Sequence, residues 1–228
     1  TATTEIYTLS LHDALPIYII IEEDETVKTI GLKISGGADS AIVAYMLSKF
    51  VVEERPLIKI LPITTTLEEK PYQLKYAKRV VEFLKNKFGN IFLEHQTNHA
   101  ENSTVYVSKQ GELVQDLRTT YDLKILYSGI TANPPKEIYK QWLPHTGPVD
   151  NRDGKIFPTI RGTSRLPLVN IDKKGVAELY NTLGVMDTLF PITRSCEALA
   201  KDEEYHIEKH CETCWWCRER YYGFGRYK

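Results

Sequence analysis

The chain has 228 residues, enough for one domain with a small appendage, since domains run to about 100 to 200 residues. Its 29 basic and 30 acidic residues nearly cancel, so no global field draws it onto nucleic acid or an anionic membrane, and nucleic acid is not an expected partner. No apolar run approaches the roughly 18 residues that cross a bilayer and no charged-then-apolar leader opens the sequence, so no membrane partner and a cytoplasmic location are expected.

Residues 5–17, EIYTLSLHDALPI, resemble the translation of a sequencing adapter, and residues 1–17 are expected to be an artefact outside the fold. Residues 27–34 (VKTIGLKI) form a short apolar run with β-branched residues that stops at Ser-Gly-Gly, the pattern of a buried strand entering a turn. Asp39 and Ser40 are expected to cap the helix that follows, whose Ala41, Ile42, Ala44, Tyr45, Met46 and Leu47 form one broad apolar face. A second strand is expected over 57–63 and an amphipathic helix over 71–88, with Leu74, Ala77, Val80, Val81, Leu84 and Phe88 inward. Further strands are expected over 91–93 and 125–127, with a helix over 113–121 between them. Periodicity disappears over 131–167, which six prolines punctuate, and so long an irregular stretch suits a substrate or lid segment. A last helix is expected over 173–183 with Asp172 as its N-cap. Strands alternating with helices imply an α/β fold with a doubly wound parallel sheet covered on both faces, here over residues 18–190.

Ser35-Gly36-Gly37-Ala38-Asp39-Ser40 leaves a strand and enters a helix, so its backbone N–H groups can turn toward one anion. Glycine lets the backbone approach, the helix N-terminus adds partial positive charge, and Ser35 and Ser40 can donate to phosphate oxygens. The spacing is neither G-x-x-x-x-G-K-[ST] nor G-x-G-x-x-G. It resembles the S-G-G-x-D-S signature of the PP-loop, or N-type ATP pyrophosphatase, family. The resemblance implies ATP and Mg2+ as cofactors, with Ser35, Gly36, Gly37, Ala38, Asp39 and Ser40 at the pyrophosphate of ATP. Ligands of doubly wound sheets sit at the carboxyl ends of strands, which nominates Thr64, Ser128, Gly129 and Thr131 as well, although turn and capping roles explain those four equally.

All four cysteines fall near the end of the chain, as Cys196, Cys211, Cys214 and Cys217, in the spacing C-x14-C-x2-C-x2-C. Clustered thiols in a chain of this size read as metal ligands, and four thiolates around one tetrahedral ion make a closed structural zinc site over a segment 191–228. An iron–sulfur cluster is the competing occupant, since C-x2-C-x2-C also serves clusters.

The tail, with Ser195, the four cysteines, Arg220 and Phe224, resembles that of the 7-cyano-7-deazaguanine synthase family, as does Pro167-Leu168-Val169-Asn170-Ile171-Asp172-Lys173. The resemblance implies Zn2+ at the cysteines. It also implies conversion of a deazapurine carboxylic acid and ammonia to the nitrile preQ0 through an adenylated carboxylate, in queuosine or deazapurine biosynthesis. Asp39 and Lys173 are then the candidate catalytic residues, Lys173 as a phosphate-facing cation or, alternatively, a solvated first-turn lysine. Many family members dimerise, so a homodimer is left open. The family's S-G-Y-P-D-C loop is replaced by 129–137 (GITANPPKE), and its Trp before Ser-Cys is Arg194, a cation free either to suit an altered acid or to sit in solvent. The alternatives are a PP-loop tRNA-thiolating enzyme with an iron–sulfur cluster, or a non-catalytic nucleic-acid-binding module that uses the aromatic and basic tail. Packing around a small metal site is the commoner use of such aromatics. His145 and His206 are expected on the surface or in loops.

Overall fold

The computed structural model describes residues 7–8, 18–19, 26–70, 72–146, 152, 160–197 and 208–228. Tyr7–Thr8 (β1) and Tyr18–Ile19 (β2) pair antiparallel, in a two-stranded sheet separate from the main one. The main sheet contains β3 (Thr29–Lys33), β4 (Lys59–Leu67), β5 (Gln96–Ala100), β6 (Ile125–Tyr127), β7 (Ile160–Arg161) and β8 (Ser164–Arg165), in the order β5-β4-β3-β6-β8-β7. Five of these strands run parallel, and β7 folds back antiparallel on β8. Helices α1 (Ala38–Glu54), α2 (Tyr72–Phe88) and α3 (Ser103–Tyr121) supply the first crossovers, with α6 (Lys173–Thr182) following the sheet. The expected doubly wound α/β fold is present.

Alternation along the strands divides the core between the two faces. Ile30, Leu32, Ile60, Ile125 and Tyr127 point to the side of α1, α2 and α6, while Leu61, Ile63 and Leu126 meet Val114 and Leu117 of α3. Helix α1 is buried along most of its length, which accounts for its apolar sequence between Ala38 and Val51.

Several boundaries differ from expectation. Helix α1 starts at Ala38, with Gly37 in the extended cap position and no side-chain cap, so Asp39 and Ser40 lie in its first turn rather than before it. An aspartate there still faces the positive end of the helix dipole. The third parallel strand is Gln96–Ala100; Ile91–Leu93 contributes only a bridge, in which Ile60 N–H donates to Ile91 O and Leu93 N–H to Ile60 O. That strand escapes hydropathy patterning because it is an edge strand of polar residues, held by the far half of the nine-residue β4. Helix α3 begins ten residues before the expected start, where the Asn102 side chain accepts from Thr104 N and Val105 N. Only Val114 and Leu117 of that helix are buried, so its first half carries no apolar signal. The stretch 131–167 is less irregular than expected: its described part holds α4 (Lys136–Tyr139), α5 (Leu143–Thr146) and the β7–β8 hairpin. The expected helix over 173–183 is α6, and Asp172 caps it by accepting from Lys174 N and Gly175 N. A helix the hydropathy pattern does not announce, α7 (Trp215–Phe224), carries the end of the cysteine segment. No helix among the described residues is long and apolar enough to cross a membrane.

Candidate active site and metal centre

Strand order reverses between β3 and β6, so the crevice beyond their carboxyl ends is where a doubly wound sheet takes its ligand. Ser35-Gly36-Gly37 leaves β3 at that point. Gly36 has φ of +79° and lies against the backbone of Tyr76 and Ala77, so only glycine fits. The serines brace the turn: Ser40 Oγ donates to Gly37 O at 3.1 Å and accepts from Ser35 N at 3.2 Å, and Gly37 N donates to Ser35 Oγ at 3.3 Å. With its proton committed to Gly37, Ser40 Oγ accepts from the Ser35 hydroxyl 3.2 Å away. The first-turn N–H groups of α1 remain for an anion.

Lys173, at the start of α6, is buried and donates to Asp39 Oδ2 across the crevice. It is therefore not a solvated first-turn lysine. Asp39 Oδ1 is buried without a hydrogen-bond partner, an oxygen available to a metal–phosphate complex. On its other side Lys173 Nζ lies 3.8 Å from Oε2 of the fully buried Glu219 of α7. Glu219 is also paired with Arg152, whose Nε donates to Asn133 Oδ1 at 2.8 Å and Nη1 to Thr131 Oγ1 at 3.0 Å. Burial pushes the Glu219 carboxyl upward, opposed by Lys173 and Arg152. Ser35, Gly37, Asp39, Lys173, Arg152 and Glu219 line one cleft, with Tyr72 and the exposed Trp216 at its aromatic edge. Glu219 and Arg152 carry no signal in the sequence: in C-R-E-R-Y the glutamate has the look of a solvated charge.

The four other nominated residues do not line this cleft. Thr64 is buried, donating to Ile34 O while accepting from His95 Nε2 at 2.8 Å. The imidazole is thus the neutral Nε2–H form, and burial, with Lys78 and Lys85 nearby, lowers its pKa to about 4. Ser128 N–H ties β6 to Arg165 O at 3.0 Å, Thr131 receives Arg152, and Gly129 sits against the start of α1. Ala38 O accepts from Tyr180 Oη at 2.8 Å, which fixes the first turn of α1.

The sulfurs of Cys196, Cys211, Cys214 and Cys217 all lie within 4.8 Å of one another, Cys211 and Cys217 at 3.9 Å. Such a group fits one tetrahedral cation. Without one the thiols crowd each other, and hydrogen bonding from Cys196 pushes Cys214 up to about 12. The cluster is stitched to the glycine loop. Arg194 N–H donates to Gly36 O at 2.9 Å, and its buried guanidinium reaches Cys196 O and Lys209 O and lies over the Tyr72 ring. Arg194 thus packs inside and does not sit in solvent. Arg220, wholly buried, donates to Phe190 O, Thr193 O, Thr193 Oγ1, Ser195 Oγ and Tyr227 O, and Phe224 stacks on Phe190 with centroids 4.1 Å apart. Trp215 meets Tyr139 and Trp142 edge-on, so much of the tail's aromatic content is packing. His145 has its side chain, and His206 its whole residue, outside the described residues.

A family model described as NAD synthase matches residues 17–128, from the edge of β2 through β6 and its Ser128. The chain carries a doubly wound α/β fold on a largely parallel sheet. The match takes in the Ser35–Ser40 loop and the strands from β2 to the switch point at β6, and covers just under half of the chain. Among solved structures, a U34-tRNA thiolase, NcsA from Methanococcus maripaludis with its 4Fe-4S cluster, is similar at a TM-score of 0.47 and 15% sequence identity, over 70% of this chain. The chain spans 57% of that structure's length. No curated protein matches the sequence. In the cleft, the loop, the first helical turn, a carboxylate and a buried cation converge on one point.

Proposed function

We propose that the chain is an ATP-dependent carbon–nitrogen ligase of the 7-cyano-7-deazaguanine synthase type, acting on a deazapurine carboxylic acid and ammonia. One observation carries the reading. The two sequence signatures shared with that family meet at a single cleft, to which the S-G-G-x-D-S loop brings Ser35, Gly37 and Asp39, the last paired with Lys173, and the cysteine tail brings Ser195 and Cys196.

The substrate carboxylate oxygen attacks the α-phosphorus of ATP and pyrophosphate leaves. Ammonia then attacks the acyl carbon, AMP departs with the bond electrons, and loss of a proton leaves the primary amide. The amide oxygen then attacks the α-phosphorus of a second ATP, pyrophosphate leaves, and the adenylated amide loses AMP and both protons on nitrogen to give the nitrile. In such steps catalysis is positioning and charge neutralisation. The first-turn N–H groups of α1 hold the departing pyrophosphate, in a turn braced by the hydroxyls of Ser35 and Ser40. Lys173 faces the phosphates as a cation whose place is set by Asp39. Magnesium, when bound with the nucleotide, offsets phosphate charge, and Asp39 Oδ1 is the oxygen these residues offer to it.

Zinc is the proposed ion at the cysteines. Zn–S bonds of about 2.3 Å at tetrahedral angles hold sulfurs about 3.8 Å apart, whereas the irons of a cluster stand between its thiolates and spread them. The 3.9 Å between Cys211 and Cys217 supports the single ion. With all four thiolates engaged there is no open position for water, so its part is structural.

The test is mass spectrometry of purified protein given 7-carboxy-7-deazaguanine, ammonium and MgATP, with the bound metal measured in the same preparation. Nitrile together with AMP is the expected result. AMP without nitrile places the chemistry on another acceptor, and iron with sulfide in place of zinc overturns the zinc assignment in favour of the tRNA-thiolating alternative.

A further inference from the structure

Glu219 is fully buried, belongs to neither sequence signature, and has one carboxylate oxygen without a hydrogen bond. Enclosing a carboxylate is costly unless cations meet it, and its two are Arg152 and Lys173. Its helix is placed with unusual closeness. Gly223, one turn further along the same face of α7, lies directly on the first residue of α6: a Cβ there would fall 2.5 Å from Lys173 Cβ and 2.6 Å from the Lys173 carbonyl carbon. The neighbouring Tyr222 Oη donates to the α6 cap, Asp172 Oδ2, at 2.9 Å. The same helix has Cys214 as its N-cap and Cys217 in its first turn. One short element therefore holds two of the clustered thiols at one end and the buried partner of Lys173 in its middle.

We propose that Glu219 is a positioning residue that couples the cysteine metal site to the nucleotide site. Metal at the four thiols fixes the register of α7, Gly223 lets α7 seat on Lys173, and Glu219 then holds the Lys173 ammonium at Asp39 beside the loop. A second physical link exists, the Arg194 N–H to Gly36 O hydrogen bond, and the test separates the two routes. The inference rests on the nucleotide site proposed above but not on the identity of the acid: loss of that substrate assignment leaves MgATP binding intact.

MgATP dissociation constants are measured by calorimetry on full-length protein as purified with its metal, after chelator stripping, and after zinc is returned, for the parent chain and Glu219→Gln. The parent is expected to lose about tenfold in MgATP affinity on stripping and recover it with zinc, within the range typical of coupled sites. In Glu219→Gln the stripped-to-loaded ratio is expected to fall to within about twofold of unity while metal content stays at the parent level. By reciprocity, MgATP slows metal loss to chelator in the parent and not in the variant. Gly223→Ala, which leaves Glu219 and the thiols unchanged, is expected to keep its metal and lose the ratio as well, and it decides the matter should Glu219→Gln not fold. An unchanged ratio in Glu219→Gln assigns the coupling to the Arg194 strap and overturns the proposal, as does a parent chain whose MgATP affinity ignores the metal.

Discussion

Gly129 and Asp39 meet backbone to backbone: a Cβ on Gly129 would lie 2.7 Å from the carbonyl carbon of Asp39 and 2.6 Å from the amide nitrogen of Ser40. The turn after β6 thus buttresses the first turn of α1, the turn whose N–H groups are proposed to meet phosphate. Gly129→Ala is expected to cost about 1–3 kcal/mol of stability by overpacking and to weaken MgATP at least tenfold, because the displaced atoms are the binding turn itself. Denaturant midpoints and an MgATP titration check both, and unaltered MgATP affinity would detach Gly129 from the site.

Arg220 is the internal tie of the cysteine segment. Burial lowers its pKa to about 10, so it stays charged at neutral pH, and its donors satisfy carbonyls and hydroxyls from Phe190 to Tyr227. Arg220→Met removes every one of these donors and strands several buried acceptors, each costing about 1–3 kcal/mol, so a loss of at least about 3 kcal/mol is expected. Arg220→Lys should recover only a minor part, since one ammonium cannot span the same acceptors. Chemical denaturation of the two variants measures this.

His95 makes stability pH-dependent in one direction. Its Nε2–H is engaged by Thr64, and its buried Nδ1 has no acceptor, so protonation is disfavoured and the folded pKa of about 4 lies below the unfolded value near 6.5. The unfolded chain therefore binds the proton first. The contribution of His95 is complete above about pH 6.5 and is lost as pH falls from there toward 4. His95→Gln, which keeps a donor to Thr64, is expected to show a smaller drop in melting temperature between pH 7 and pH 5 than the parent. Equal drops would mean that the imidazole titrates freely in the fold, with Lys78 and Lys85 exerting no effect.

One divalent ion per chain is expected at the cysteines, and Cys217→Ser, which replaces a fully buried ligand, should abolish stoichiometric binding. Loss of even about 4 kcal/mol from such a site lowers the melting temperature of a chain this size by roughly 10 °C. Elemental analysis together with thermal melts of loaded, stripped and Cys217→Ser protein gives the result; a stripped protein that melts with the loaded one removes the metal from the structural account.

Local patterning announced a good deal of this chain. The apolar run into Ser35-Gly36-Gly37, the capped helix after Asp172 and the clustered cysteines are each contained within a few residues, so spacing alone reveals them, and with them the α/β class and the loop that faces the crevice. Where burial is one-sided or slight the pattern fades. Patterning therefore points to Ile91–Leu93 in place of the edge strand Gln96–Ala100, and marks only the second half of Ser103–Tyr121 as helix.

The partners of the charged residues were decided by tertiary structure alone. Lys173 and Asp39 are 134 positions apart, and whether either is solvated or paired depends on how α6 closes against α1. Glu219, Arg220 and Arg194 sit in a tail that reads as polar, yet all three are buried, because α7 is pressed onto α6 through Gly223 and the strap from Phe190 to Cys196 wraps it. Sequence periodicity reports which face of one element is apolar. The desolvation and pairing of a charge are properties of the surfaces that meet around it, and those surfaces exist only once distant segments have come together.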